Sequence, residues 1–151
     1  MGRYLCLATC LAFTGLGTTT AGGATHEDPA YERANRALAR SIPHYPRARL
    51  LVQEPVSGEV GVAPFQAIQR FYFLARQNSQ RNVMSFFRKR LGNSWRQKES
   101  ACLVSRSRLV VALMYPKRLR VGVLIDSRGA TRCHELTGQV ADLLALGYPD
   151  P

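Results

Sequence analysis

Lysine is almost missing from this chain of 151 residues: of 21 basic side chains, 3 are Lys and 18 are Arg. Acids are sparse as well, only 10, so the formal net charge is +11. A field of that sign favours anionic partners, whether nucleic acid, acidic lipid or a polyanionic polymer. It does not choose among them. An Arg-heavy, Ala-rich chain is also what codon bias in a GC-rich genome produces, so the charge by itself speaks to solubility and non-specific association.

Catalytic signatures are missing too. There is no Gly-x-Ser-x-Gly elbow, no phosphate-binding glycine loop and no His-Glu-x-x-His. The carboxylates Glu54, Glu59, Glu99, Asp126, Glu135 and Asp142 share no helix face and no spacing that general acid–base chemistry would need. Cys133-His134-Glu135 contains metal-ligand types, but structural zinc takes four ligands at recognisable spacings and nothing pairs with this cluster. His26 and His44 stand alone. No cofactor is expected, and a binding module is favoured over an enzyme. A hydrolase without a familiar motif is the enzymatic alternative.

Long apolar runs are absent. Residues 4–16 are apolar apart from Thr9, Thr14 and Gly15, too short for the ~20 residues that cross a bilayer. Arg3 before the run and small residues after it give residues 1–23 the pattern of an export signal. The mature chain would then carry no transmembrane segment, a formal charge of about +10, and a secreted or cell-envelope location. Cys6 and Cys10 would leave with the signal. Cys102 and Cys133 would remain, an even pair that in an exported protein implies a disulfide. Closing that loop would contribute ~3 kcal/mol through the unfolded state. The sequence leaves open whether the segment 129–132 returns Cys133 to Cys102.

What is present is periodicity. Asp28-Pro29 opens a helix, with Asp accepting from free amides and Pro losing no hydrogen bond at the first position. Tyr31, Ala34, Leu38 and Ile42 mark its face and Pro43 stops it. Residues 24–48 form this N-terminal helix and a proline-punctuated linker. Residues 49–54 read as a strand and 55–58 as its turn. In the strand expected over 66–75, Ala67, Gln69, Phe71 and Phe73 point one way, and Ile68, Arg70, Tyr72 and Leu74 the other. Residues 82–91 then combine an apolar stripe of Val83, Met84, Phe87 and Leu91 with Ser85, Arg88 and Lys89 opposite, and Gly92 as the stop.

Short strands follow at 95–98, 101–105, 109–114 and 119–126. The run 109–114 is apolar on both faces, as in a central strand covered twice. In the last, Leu119, Val121, Val123 and Ile125 alternate against Arg120, Gly122 and Asp126, the pattern of a half-buried strand. Residues 136–151 make a short C-terminal helix or tail.

Tyr45-Pro46-Arg47-Ala48, then Phe86-Phe87-Arg88-Lys89-Arg90-Leu91, then Trp95 and the strand ending at Ile125, resemble small exported bacterial proteins. Those have a Tyr-Pro-Gly-Ala opening, a Phe-Tyr-Arg-x-x-Leu helix and a Gly-Trp turn. Arg47, Phe87 and Ser94 stand where that group has Gly, Tyr and Gly. The resemblance covers roughly residues 41–126 and implies the fold and export; that group is functionally uncharacterised and lends no active site.

The expected fold is α+β, with one domain over 49–135. It has a mainly antiparallel sheet of five or six strands with the 82–91 helix packed on it, plus N- and C-terminal helices. The expected function is an exported, non-enzymatic binding or accessory protein that meets anionic polymer or lipid through Arg88, Lys89, Arg96, Lys98, Lys117, Arg118 and Arg120. The alternative is a nucleic-acid-binding protein retained in the cytoplasm. For that role exposed aromatics should interleave with the basic side chains to stack on bases, and the spacing of Phe71, Tyr72, Phe73, Phe86 and Phe87 is that of a core.

Overall fold

The computed structural model describes residues 28–60, 63–115 and 119–147. The expected signal at 1–23, and Lys117 and Arg118, lie outside the described residues. Three helices and six strands follow in the order α1 (Pro29–Ser41), β1 (Ala48–Val60), β2 (Ala63–Leu74), α2 (Gln80–Leu91), β3 (Arg96–Glu99), β4 (Cys102–Ser105), β5 (Arg108–Tyr115), β6 (Arg120–Asp126) and α3 (Cys133–Leu146). The strands form one antiparallel sheet ordered β1-β2-β6-β5-β4-β3. The class is α+β, as the element order implies.

Strand alternation divides the core in two. On one face Ile68 and Tyr72 of β2, Val110 and Ala112 of β5, and Val121, Val123 and Ile125 of β6 meet Leu38, Ala39 and Ile42 from α1 and its end, and Val83, Met84 and Phe87 from α2. On the other, Phe65, Ala67, Phe71, Leu109, Val111 and Leu124 meet Leu136, Val140 and Leu144 of α3. Every residue of β6 is therefore buried, where alternation alone implied one wet face. Leu124, an apolar residue on the side of Arg120, Gly122 and Asp126, faces α3.

Several boundaries and faces differ from the sequence reading, each for a physical reason. β1 runs straight through the expected turn at 55–58, with Pro55 opposite Ile68. β1 is a sheet edge, where the missing amide of a proline is tolerated. In α1 the buried polar partner of Tyr31 and Leu38 is Asn35, and Ala34 is exposed. The Asn35 side chain donates to the Gln66 carbonyl at 2.8 Å and accepts from the Ser127 amide at 2.8 Å. A fully buried amide needs such partners, and they hold α1 on the sheet more tightly than its Ala-rich stripe suggests. The C-terminal helix begins at Cys133, inside the expected 49–135 domain, and packs as a full element.

That early start brings the cysteines together. Cys102 on β4 and Cys133 at the first turn of α3 form a disulfide, with Cα atoms 6.0 Å apart. Both are buried. The α3 N-cap, Arg132, makes no side-chain capping bond; the disulfide, together with Arg132 contacts to the Pro64 carbonyl and Asp126, anchors this helix start to the sheet.

α3 lies closest to β6 at Gly122. A Cβ added there would sit 2.7 Å from Val140 Cγ1 and 3.2 Å from Phe71 Cε1. Gly138, on the outer side of α3, has nothing within 4 Å of the same position. Gly122→Val should therefore cost about 1–3 kcal/mol through overpacking, while Gly138→Ala should add up to about 1 kcal/mol by helix propensity. Denaturant melts of the two variants check the pair. Equal effects of the same sign would contradict the close approach.

Candidate functional site

Helix α2 presents the most concentrated basic surface. Ser79 caps it, its side chain accepting from the Asn82 amide at 3.2 Å. Gln80 then pins its first turn to the sheet. The Gln80 amide donates to the Ala112 carbonyl at 2.8 Å and accepts from the Met114 amide at 2.8 Å. Those β5 groups lie past the end of the short β4, whose pairing stops at Cys102 opposite Val111, so the glutamine stands in for a neighbouring strand. With Val83, Met84 and Phe87 buried, the 3.6-residue repeat turns Arg81, Ser85, Arg88 and Lys89 outward, and all four are exposed.

Two hollows adjoin this face. One, of about 440 Å³, is lined by Gln80, Arg81, Met84, Ser85, Arg88, Gln97 and Ser100. The other, of about 620 Å³, is lined by Ser85, Arg88, Lys89, Gly92, Asn93 and Trp95. They share Ser85 and Arg88, so one guanidinium borders both. Arg81 was missed by the sequence reading because the helix starts at Gln80, two residues before its expected start. Its i, i+4, i+7 relation to Ser85 and Arg88 was the available signal.

The other expected anion-binding residues do not gather here. Arg96 lies opposite Val104, whose side chain faces α3, whereas Gln97 lies opposite Leu103, which faces α2. Lys98 donates to the Ala130 carbonyl at 3.2 Å, in the loop before α3. Arg96 and Lys98 thus belong to the α3 side of the sheet. Arg120 is 5% exposed, and its guanidinium donates to the carbonyl of Gly147 just past α3. It is a fold residue and leaves the surface set. Lys117 and Arg118 lie outside the described residues.

A second polar cluster is buried. Asp126, fully enclosed at the end of β6, accepts from the Tyr31 hydroxyl at 2.5 Å, the Arg128 amide at 2.8 Å and the Arg132 guanidinium at 3.3 Å. Arg132 also donates to the Tyr31 oxygen at 3.0 Å and to the Pro64 carbonyl at 2.7 Å. Arg128 lies over the Tyr31 ring at 4.4 Å and pairs with Asp28 at 3.2 Å. One carboxylate therefore joins α1, β6 and the approach to α3. Burial pushes the Asp126 carboxyl above its ordinary value, outweighing the Tyr31, Arg128 and Arg132 contacts that pull it down. The Tyr31 hydroxyl is raised by burial and by its bond to Asp126, so it remains a donor. Among the described residues there is no group of three metal-ligating side chains.

The sign of the pH effect follows. With its folded pKa raised, Asp126 favours the native state most when protonated, and stability falls as pH rises from about 4 through the raised value. Asp126→Asn lacks that titration, so its stability relative to wild type should improve as pH rises across that window, in denaturant melts at a series of pH values. A variant that loses ground with rising pH would show that the donors outweigh burial.

In comparisons with known proteins, no family model, no curated protein and no solved structure matched this chain.

Proposed function

We propose that this is an exported, non-enzymatic binding protein that holds anionic envelope components, polymer or lipid phosphate, on the outer face of α2. The observation that carries the reading is the charge of that helix. Gln80–Leu91 contains Arg81, Arg88, Lys89 and Arg90 and no acid, and none of the four has a hydrogen-bond or ionic partner among the described residues. Exposed guanidinium groups without internal partners are available to pair phosphates with two parallel donors each. The hollows beside Arg88 give such a group a place to sit.

The Cys102–Cys133 link is consistent with an oxidising compartment, which supports export together with the signal-like start and the likeness to small exported bacterial proteins. Binding is favoured over hydrolysis because Asp126, the one buried carboxylate among the described residues, uses its oxygens on Tyr31, Arg128 and Arg132, contacts that hold the fold. Nucleic acid is the weaker reading. Tyr45, Phe87 and Trp95 are buried, Phe86 on the helix itself is half-buried and packed edge-on against Tyr45, and stacking on bases needs exposed rings.

Co-sedimentation of the full chain with anionic vesicles and with phosphate-bearing wall polymer, across a salt series, tests the reading. Binding should weaken as salt rises. Arg88→Gln should lower affinity by about tenfold or more, the worth of one charge-assisted hydrogen bond. Arg96→Gln, on the other side of the sheet, should change it little. Salt-independent or absent binding, or equal losses in both variants, would count against the α2 face.

A further inference from the structure

A third hollow, of about 730 Å³, lies between the loop that enters β1 and the segment joining β2 to α2. Arg47 comes from the first and Arg76 from the second; both are exposed, and neither has a hydrogen-bond or ionic partner among the described residues. Arg47 holds a φ of 54°. That left-handed region is costly for a residue with a side chain and is where glycine is at ease. Residues kept in such conformations cluster at ligand sites.

This hollow is tied to the basic helix. Tyr45, which lines it, packs edge-on to Phe86 of α2 at 5.2 Å and accepts from the Asn78 side chain at 2.6 Å, just ahead of the Ser79 cap. No acidic residue lines this hollow or the two beside Arg88. By contrast, the hollows near α1 include Glu32 or Asp28. Arg47, Arg76, Arg81, Arg88 and Lys89 thus line three acid-free concavities arranged around one helix.

We infer that Arg47 and Arg76 form a second anion subsite, and that the ligand of the α2 face is a linear polymer carrying successive phosphates, long enough to occupy both. The inference rests on the reading of α2 given above. A bilayer is the poorer fit. The apolar side of α2 is spent in the core, and the exposed large hydrophobic residues among those described are Leu50 and Leu146, neither of which lines these hollows. An interfacial helix offers its apolar side to lipid and this one has none to offer. Linked subsites reward a chain that bridges them, because the second contact is made at high effective concentration.

The probes are long-chain inorganic polyphosphate, pyrophosphate and phosphatidylglycerol vesicles, titrated against the full oxidised chain. Polyphosphate should bind about tenfold or more tighter than pyrophosphate, and tighter than the vesicles. The double variant Arg47→Gly/Arg76→Gln should lose about tenfold in polyphosphate affinity and shrink that ratio. Its fold should persist, since glycine relaxes the left-handed position, and an unchanged circular-dichroism melt verifies it. If the double variant binds polyphosphate like wild type while Arg88→Gln does not, the second subsite is overturned and the α2 reading survives. If wild type binds no phosphate probe, both fall. Tighter binding to vesicles than to polyphosphate overturns the polymer.

Discussion

A guanidinium inside a protein must find acceptors, and here it finds them at the ends of helices. Arg70 of β2, 2% exposed, donates to the carbonyls of Ala39 and Ile42 at the end of α1, at 2.7 and 2.9 Å, and to the Gln53 side chain at 2.7 Å. Arg120 of β6, buried toward the other face, donates to Gly147 at the end of α3. The last carbonyls of a helix lack partners within it and carry partial negative charge, so each arginine and each helix end satisfies the other. A buried cation without acceptors is among the most costly defects a core can hold. The positions of α1 and α3 on the sheet depend on this pairing.

The same contacts sort the positive charge. Arg70 and Arg120 are spent inside. Arg36 pairs with Glu32, Arg128 with Asp28 and Arg132 with Asp126. Arg108 bonds Ser105 and lies over Trp95 at 5.3 Å, and Arg49 lies over Phe73. A formal charge of +11 therefore overstates what faces a ligand as one surface. The unpartnered cations are densest on α2, which has no carboxylate of its own. Low lysine content also acquires a physical sense, since planar forks serve both buried helix ends and phosphates better than ammonium groups do.

Much of the architecture was legible because local chemistry and tertiary structure agree. Asp28-Pro29 opens α1, Gly92 closes α2, and the alternation in 66–75 separates Phe71 from Tyr72 across the sheet. Most of the failures share a cause, which is cover arriving from distant segments. Pro55 reads as a turn until β1 is known to be an edge strand. Arg120 reads as surface because nothing in its own strand reveals that the end of α3 returns over it. Asn35 is not among the apolar residues that mark the α1 face, and its burial follows only once Gln66 and Ser127 supply its partners. α3 begins unannounced, since Arg132 provides no side-chain cap. For the candidate site, Arg88 and Lys89 were visible by periodicity, but which cations share their face depended on the register of β3 against β4.

Arginines that hold the fold are thus separate from those without partners among the described residues, and the latter are densest on α2. Amide chemical-shift mapping of the isotope-labelled full chain during a titration with polyphosphate tests that separation most directly. A location on α2 predicts saturable shifts concentrated in residues 76–93, at Gln97 and around Arg47, with the amides of α3 nearly still. Shifts centred on Arg96, Lys98 and the start of α3, or spread evenly over every exposed arginine, would contradict it.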